Sequence, residues 1–153
     1  MNSFDAHYLI GNYYSWYAAT AGTGYGVAAR NDAPGSICPK GWQLPSIVSA
    51  DGSSETKKTF DGLYTKYDGV DARKLPLGLV AGGYVDVDYD QGRAGEPTLG
   101  SVGLRGEYWL STANYPNNGG AFYMQVGSSG VDTYLGTYDS NMYDGYFVRC
   151  VVR

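Results

Sequence analysis

The rhythm of apolar and polar positions changes along this chain, and each change predicts an element. From Tyr8 to Tyr17 the residues are aromatic and mixed (Tyr-Leu-Ile-Gly-Asn-Tyr-Tyr-Ser-Trp-Tyr), which predicts one or two early strands. The stretch Ala21-Gly22-Thr23-Gly24-Tyr25-Gly26 then breaks any pattern. It lacks the Gly-Lys-Ser/Thr ending of a phosphate loop and is expected to be a flexible surface turn. Two prolines, Pro39 and Pro45, forbid a helix across Ile37 to Pro45. That piece should be extended and turn-bounded, with Trp42 and Leu44 as inward anchors.

A helical period occurs in Ser54 to Tyr67, where Phe60, Leu63, Tyr64 and Tyr67 recur at i, i+3, i+4 and i+7. Ser53 or Ser54 can cap this helix and Asp68-Gly69 can end it. Its stripe reads as packing surface. Beyond Leu75 the pattern is of strands broken by turns: Leu77 to Val85, Glu107 to Thr112, Ala121 to Val126, Val131 to Thr137 and Tyr146 to Val152. The last is β-branched and largely apolar and should be a central strand. The prediction is one α+β domain over residues 1–153, helix-poor, with small antiparallel sheets, one or two helices and long loops.

Composition sharpens this picture. The 153 residues include 23 Gly and 16 Tyr but only 4 Phe, and 17% are charged. A disordered chain would show more charge and fewer aromatics. The net charge of −4 and the lack of a Lys/Arg cluster argue against nucleic acid as a partner. No apolar run approaches the length of a bilayer span, so direct membrane insertion is not expected. The opening Met1-Asn2-Ser3-Phe4-Asp5 shows no signal peptide, as expected of a cytosolic protein or of one whose leader has been removed.

Chemistry-bearing constellations are few. His7 is the single histidine, no nucleophile elbow or His-Glu-x-x-His appears, and the only glutamates are Glu55, Glu96 and Glu107. A hydrolase using acidic residues is the enzyme class that such a chain could still support. Asp86, Asp88 and Asp90 alternate, and on a strand they would share a face that suits a hard cation such as calcium. The calcium-loop pattern fails, because glycine comes one place late and Pro97 stands at the twelfth position. A charged hairpin edge that discourages sheet aggregation accounts for the same residues, so no cofactor is expected. Cys38 and Cys150 stand far apart, and spacing alone leaves one long-range disulfide or two buried thiols.

One stretch has a composition of its own. From Asn114 to Asp144 there is no Lys, Arg or Glu, and Tyr, Asn, Ser and Gly make up 17 of its 31 residues. This is the alphabet of binding loops: tyrosine gives large amphipathic contact area for two torsions, while Ser, Gly and Asn adapt their hydrogen bonds. A polar turn region with tyrosines half in the core would read the same way.

Three segments together resemble a known family. Cys38-Pro39-Lys40-Gly41-Trp42-Gln43-Leu44-Pro45 resembles the Cys-Pro-x-Gly-Trp-x-Leu-Pro signature of the Fibrobacter major-paralogous domain. Tyr108-Trp109-Leu110-Ser111-Thr112 resembles its Tyr-Trp-Ser-Ser-Thr strand, and Gly145 to Val151 resembles its Gly-x-x-Val-Arg-Cys-Val close. Asn12 to Tyr17 also resembles the Asn-Tyr-Tyr-x-Trp opening of many members, so the likeness spans about 12 to 152.

The resemblance implies a C-type-lectin-like fold, related to formylglycine-generating-enzyme domains and to the variable proteins of diversity-generating retroelements. It further implies a Cys38–Cys150 disulfide and an extracellular, cell-surface or phage-particle location. The enzyme branch lacks its cysteine pair here, and Glu96-Pro97-Thr98 only partly echoes a calcium–sugar motif. The retroelement branch concentrates variation in the C-terminal part of the domain, where this chain is rich in Tyr and Asn. The expectation is therefore a non-enzymatic receptor-binding or adhesin domain that contacts a protein or glycan. Its face would comprise Asn114, Tyr115, Asn117, Asn118, Tyr123, Gln125, Asp132, Tyr134, Tyr138, Asn141 and Tyr143, with Trp42, Trp109 and the cysteine strand as scaffold. A fixed adhesin or an envelope structural domain without diversification is the alternative.

Overall fold

The computed structural model describes residues 11–47, 78–87, 89–90, 93–94, 96–115, 120–127, 130–134 and 141–152. The helix expected over Ser54–Tyr67 lies outside the described residues, as do Leu77 and the end of the strand expected to Thr137. Of the strand expected over Leu77–Val85, residues 78–82 carry no strand and pairing begins only at Gly83, which bridges to Gly106. Among the described residues the elements in chain order are α1 (Trp16–Ala19), β1 (Trp42–Gln43), β2 (Tyr84–Asp86), β3 (Tyr89–Asp90), β4 (Arg93–Ala94), β5 (Thr98–Gly100), β6 (Gly106–Tyr115), β7 (Gly120–Gly127), β8 (Gly130–Tyr134) and β9 (Val151–Val152). The described chain is thus mostly strand, in small antiparallel sheets with very little helix.

The centre is the antiparallel sheet β6–β7–β8. Alternation along β6 and β7 sends side chains to opposite faces. One face carries Tyr108, Leu110, Phe122, Met124 and Val126 into a core with Leu79 and Phe147. The other carries Trp109, Ala113 and Ala121 into a core with Trp16, Leu44, Met142 and Tyr146. Both faces are buried, which is why these strands read as nearly continuous apolar runs.

β6 keeps β7 as its partner but changes register halfway along. Gly106 to Trp109 pair with Val126 to Tyr123, and the register then shifts between Trp109 and Ala113 and again before Tyr115. Through the irregular half, the opposite edge of β6 is hydrogen-bonded by an irregular segment: Ala33 N–H donates to Ser111 O, Ala113 N–H to Asn31 O and Arg30 N–H to Ala113 O. The Asp32 carboxylate ties this junction. Its Oδ1 accepts from Ser111 Oγ at 2.8 Å and Thr112 Oγ1 at 2.6 Å, and its Oδ2 accepts from Ser46 Oγ at 2.5 Å.

The early aromatic segment departs from its expected strand. Tyr14 does form a bridge with Tyr146, but the next residue starts a helical turn. Ser15 caps it, its Oγ accepting from Ala18 N–H at 3.2 Å, so a local side-chain acceptor wins over strand propensity. Trp16 is then fully buried, its Nε1–H donating to Leu110 O at 2.8 Å.

The closing segment, expected as one central strand over Tyr146–Val152, is divided. Tyr146 bridges to Tyr14 and Phe147 to Tyr108, residues 148–150 carry no strand pairing, and β9 then pairs with β1. Each piece meets a different partner, so no single ladder runs its length. Cys38 and Cys150 are disulfide-bonded with Cα atoms 5.8 Å apart, beside the β1–β9 pair. Such a bond fits an oxidising location, and no helix among the described residues is long and apolar enough to cross a membrane.

Trp42 corrects another expectation. Leu44 is buried as an anchor should be, but Trp42 is 44% exposed. The strand stops at Gln43, so the alternation that would put both residues on one face does not reach Leu44.

Candidate functional site

The sheet register brings part of the expected contact face together. Across β7 and β8, Tyr123 stands opposite Tyr134 and Gln125 opposite Asp132. Across β6 and β7, Glu107 stands opposite Gln125 and Trp109 opposite Tyr123. Two neighbouring rows therefore cross three strands: Glu107–Gln125–Asp132 and Trp109–Tyr123–Tyr134. Directly opposite positions lie close enough for their side chains to interact, roughly 4.5–5.5 Å between Cβ atoms.

Tyr123 is half-buried and packs edge-on against Tyr146, with ring centroids 4.9 Å apart. Tyr146 stacks in turn on Trp109 at 4.2 Å. Gln125 is only 8% exposed, and its Oε1 has no hydrogen-bond partner among the described residues. Asn114 is buried as well. Both amides thus lie in the packed body of the sheet, whereas the expectation had them on an exposed face. Tyr115, at the end of β6, stands opposite Gly120, and Gly120 also bridges to Asn141. Asn141 shapes a turn: its Oδ1 accepts from Tyr143 N–H at 3.1 Å and its Nδ2–H donates to Val87 O at 3.3 Å. Tyr143 is exposed. Asn117, Asn118 and Tyr138 lie outside the described residues.

Glu107, at the start of the first row, belongs to a charged group that composition did not reveal. Glu107 is 2% exposed. Arg105 Nε approaches its Oε1 to 3.2 Å, within ion-pair range but outside hydrogen-bond geometry, while the guanidinium lies over the Tyr84 ring at 4.9 Å. Burial raises the Glu107 pKa, and Arg105 and a hydrogen bond with Tyr146 oppose the rise. Burial also pushes the Tyr146 phenol well up, and the Glu107 and Asp144 charges push the same way. Asp144 is raised to about 6, first by burial and then by Asp86, although its Oδ1 accepts from Val87 N–H at 3.0 Å. Both carboxyls are closed in and engaged with the protein's own groups.

The one sequence signal for this group is Glu107 itself, a carboxylate inside an apolar strand. Its pairing with Gln125 and its approach to Tyr146 depend on register and tertiary packing, which spacing does not give.

The aspartate stretch forms part of a ribbon. β2 pairs with β5, and β3 pairs with β4 so that Asp90 stands opposite Arg93. Asp86 is exposed at the end of β2, and Asp88 lies outside the described residues. Among the described residues no three His, Cys, Asp or Glu side chains are grouped to hold a metal ion. A cavity of about 310 Å³ is lined by Leu79, Tyr108, Phe147 and Cys150 among others, and contains none of the expected contact residues. Compared with protein-family models, with curated proteins and with solved structures, the chain finds no match.

Proposed function

We propose that this chain is a non-enzymatic, surface-displayed ligand-binding domain with a C-type-lectin-like fold, a diversified variable protein of a diversity-generating retroelement. The observation that carries this reading is the Tyr123–Tyr134 pairing on an antiparallel sheet, within a stretch devoid of Lys, Arg and Glu. A scaffold that separates stability from recognition needs this division: buried strands, with adaptable amphipathic residues at one end. The bridging of Tyr14 to Tyr146, the β1–β9 pair and the Cys38–Cys150 bond also favour a fold whose early and late segments close on each other. The bond is further consistent with an extracellular, cell-surface or phage-particle setting. The ligand would be a protein or a glycan.

The coding locus tests the diversification. A near-repeat of its 3′ end, differing mainly at adenines and lying beside a reverse-transcriptase gene, is the expected result; its absence overturns that part in favour of a fixed adhesin. For the face itself, Tyr134→Ala and Tyr138→Ala should weaken binding of labelled protein to target cells and leave Tm nearly unchanged. A collapse of Tm on either substitution would show that the ring belongs to the core.

A further inference from the structure

Outside the sheet rows, three tyrosine rings from separate parts of the chain meet at the surface. Tyr17 lies between Tyr25, at 6.4 Å and 43°, and Tyr143, at 5.7 Å and 55° between centroids and planes. Tyr25 is 85% exposed and Tyr143 48%. The tilts make a curved surface of rings rather than a closed stack.

Each ring is held by a neighbour fastened to Trp16. Tyr17 follows it directly and meets its indole edge-on at 6.0 Å. Tyr143 follows Met142, which is buried and whose carbonyl accepts from Trp16 N–H at 2.9 Å. Tyr25 follows Gly24, whose backbone lies so close to the indole that an added Cβ would stand 2.3 Å from its Cζ3. Gly24 N–H also donates to Thr20 Oγ1 at 3.2 Å, and that hydroxyl donates to Trp16 O at 2.9 Å. The loop expected to be a flexible turn is therefore pinned. Its most exposed ring is presented from a fixed base, which lowers the ordering cost of any contact it makes.

The surroundings select the chemistry of the partner. Residues 11–29 contain no charged side chain, and Asp144 beside Tyr143 is buried. The Tyr17 phenol is raised by burial and then by its neighbours Tyr143 and Tyr25, so its hydroxyl lies within electrostatic reach of both. Such a surface offers ring faces and clustered hydroxyls without ion pairing. A pyranose unit matches it, with an apolar C–H face and a rim of neutral hydroxyls. The charged groups of a protein surface would find no counterpart on residues 11–29, which hold two of the three rings.

We infer that the Tyr25–Tyr17–Tyr143 surface is a stacking site for a neutral glycan. Two of its three rings lie outside the C-terminal face, so it goes beyond the reading above. The test is affinity electrophoresis of the full chain in native gels containing dextran, mannan, xylan or a neutral β-glucan, with polygalacturonate as the charged comparison. Retardation in at least one neutral gel is expected. Tyr25→Ala should weaken that association at least about fivefold without changing Tm, and Tyr134→Ala should leave it intact. No retardation in any neutral gel overturns the inference, as does retardation confined to polygalacturonate. Retardation that Tyr25→Ala leaves unchanged also overturns it, and if Tyr134→Ala alone abolishes it, the sheet-face reading stands while this one falls. A dimer in sedimentation equilibrium that Tyr25→Ala dissociates would mean that a second copy covers the rings, which overturns it too.

Discussion

Asp144 is buried, carries a carboxyl raised from an ordinary 3.8 to about 6, and still accepts a backbone hydrogen bond from Val87. A group whose folded pKa exceeds its unfolded value favours the fold most when it is protonated. Its contribution is full below about pH 4 and declines as the pH rises through 6. The interval corresponds to a loss on the order of 3 kcal/mol. Asp144→Asn keeps an acceptor for Val87 and removes the desolvated charge. Urea midpoints should therefore be higher for the variant than for the parent at pH 7, with the gap closing towards pH 4; a constant gap would contradict the assignment. None of this was legible in the sequence. Asp144 ends the Tyr/Asn-rich stretch and looks like one more polar turn residue. Its burial against β2 and Asp86 comes from a contact between segments far apart in the chain.

The elements were legible where the two-residue period is long and both faces are buried. The strands expected over Glu107–Thr112 and Ala121–Val126 lie within β6 and β7, and β8 covers the described part of the third. Short pieces were harder. A single serine hydroxyl turns the chain into α1, and the closing segment spreads its pairing over three partners, neither of which leaves a periodic trace. The junction at the irregular half of β6 depends on Asp32, which gathers hydroxyls from Ser46, Ser111 and Thr112. Hydrogen bonds to a charged acceptor are worth more than neutral ones, but this carboxylate is largely in water. Asp32→Ala is expected to cost about 1–2 kcal/mol, with Asp32→Asn recovering part of it, measured by denaturant unfolding. An unchanged midpoint for the alanine variant would show that the irregular half of β6 holds without this tie.

At the scale of the molecule, the long-range bond between Cys38 and Cys150 closes a loop of sequence separation 112. In the chain-entropy account a loop of that length contributes roughly 4–5 kcal/mol by restricting the unfolded ensemble. Reduction, or paired Cys38→Ser and Cys150→Ser replacement, should lower the denaturant midpoint accordingly, and insensitivity to reductant would mean that the reduced chain stays constrained by other contacts. The candidate contact face was legible only as composition. The stretch from Asn114 to Asp144 contains Tyr123, Tyr134 and Tyr143, but nothing in its order tells which amides turn inward. Gln125 and Asn114 are buried because packing covers both faces of the central sheet, and the Trp16-centred tyrosine surface joins three segments that no spacing rule connects.

The register shifts in β6 carry a consequence for tolerance to change. In an uninterrupted ladder, a one-residue slip at one end would invert every side chain to the other. Here the irregularity between Trp109 and Ala113 separates two independently seated halves. A slip of the Ala113–Ala121 pairing would reset only the distal half, while Glu107, Trp109, Tyr123 and Gln125 keep their opposite numbers. The slip would stop at the bulge instead of spreading through the sheet.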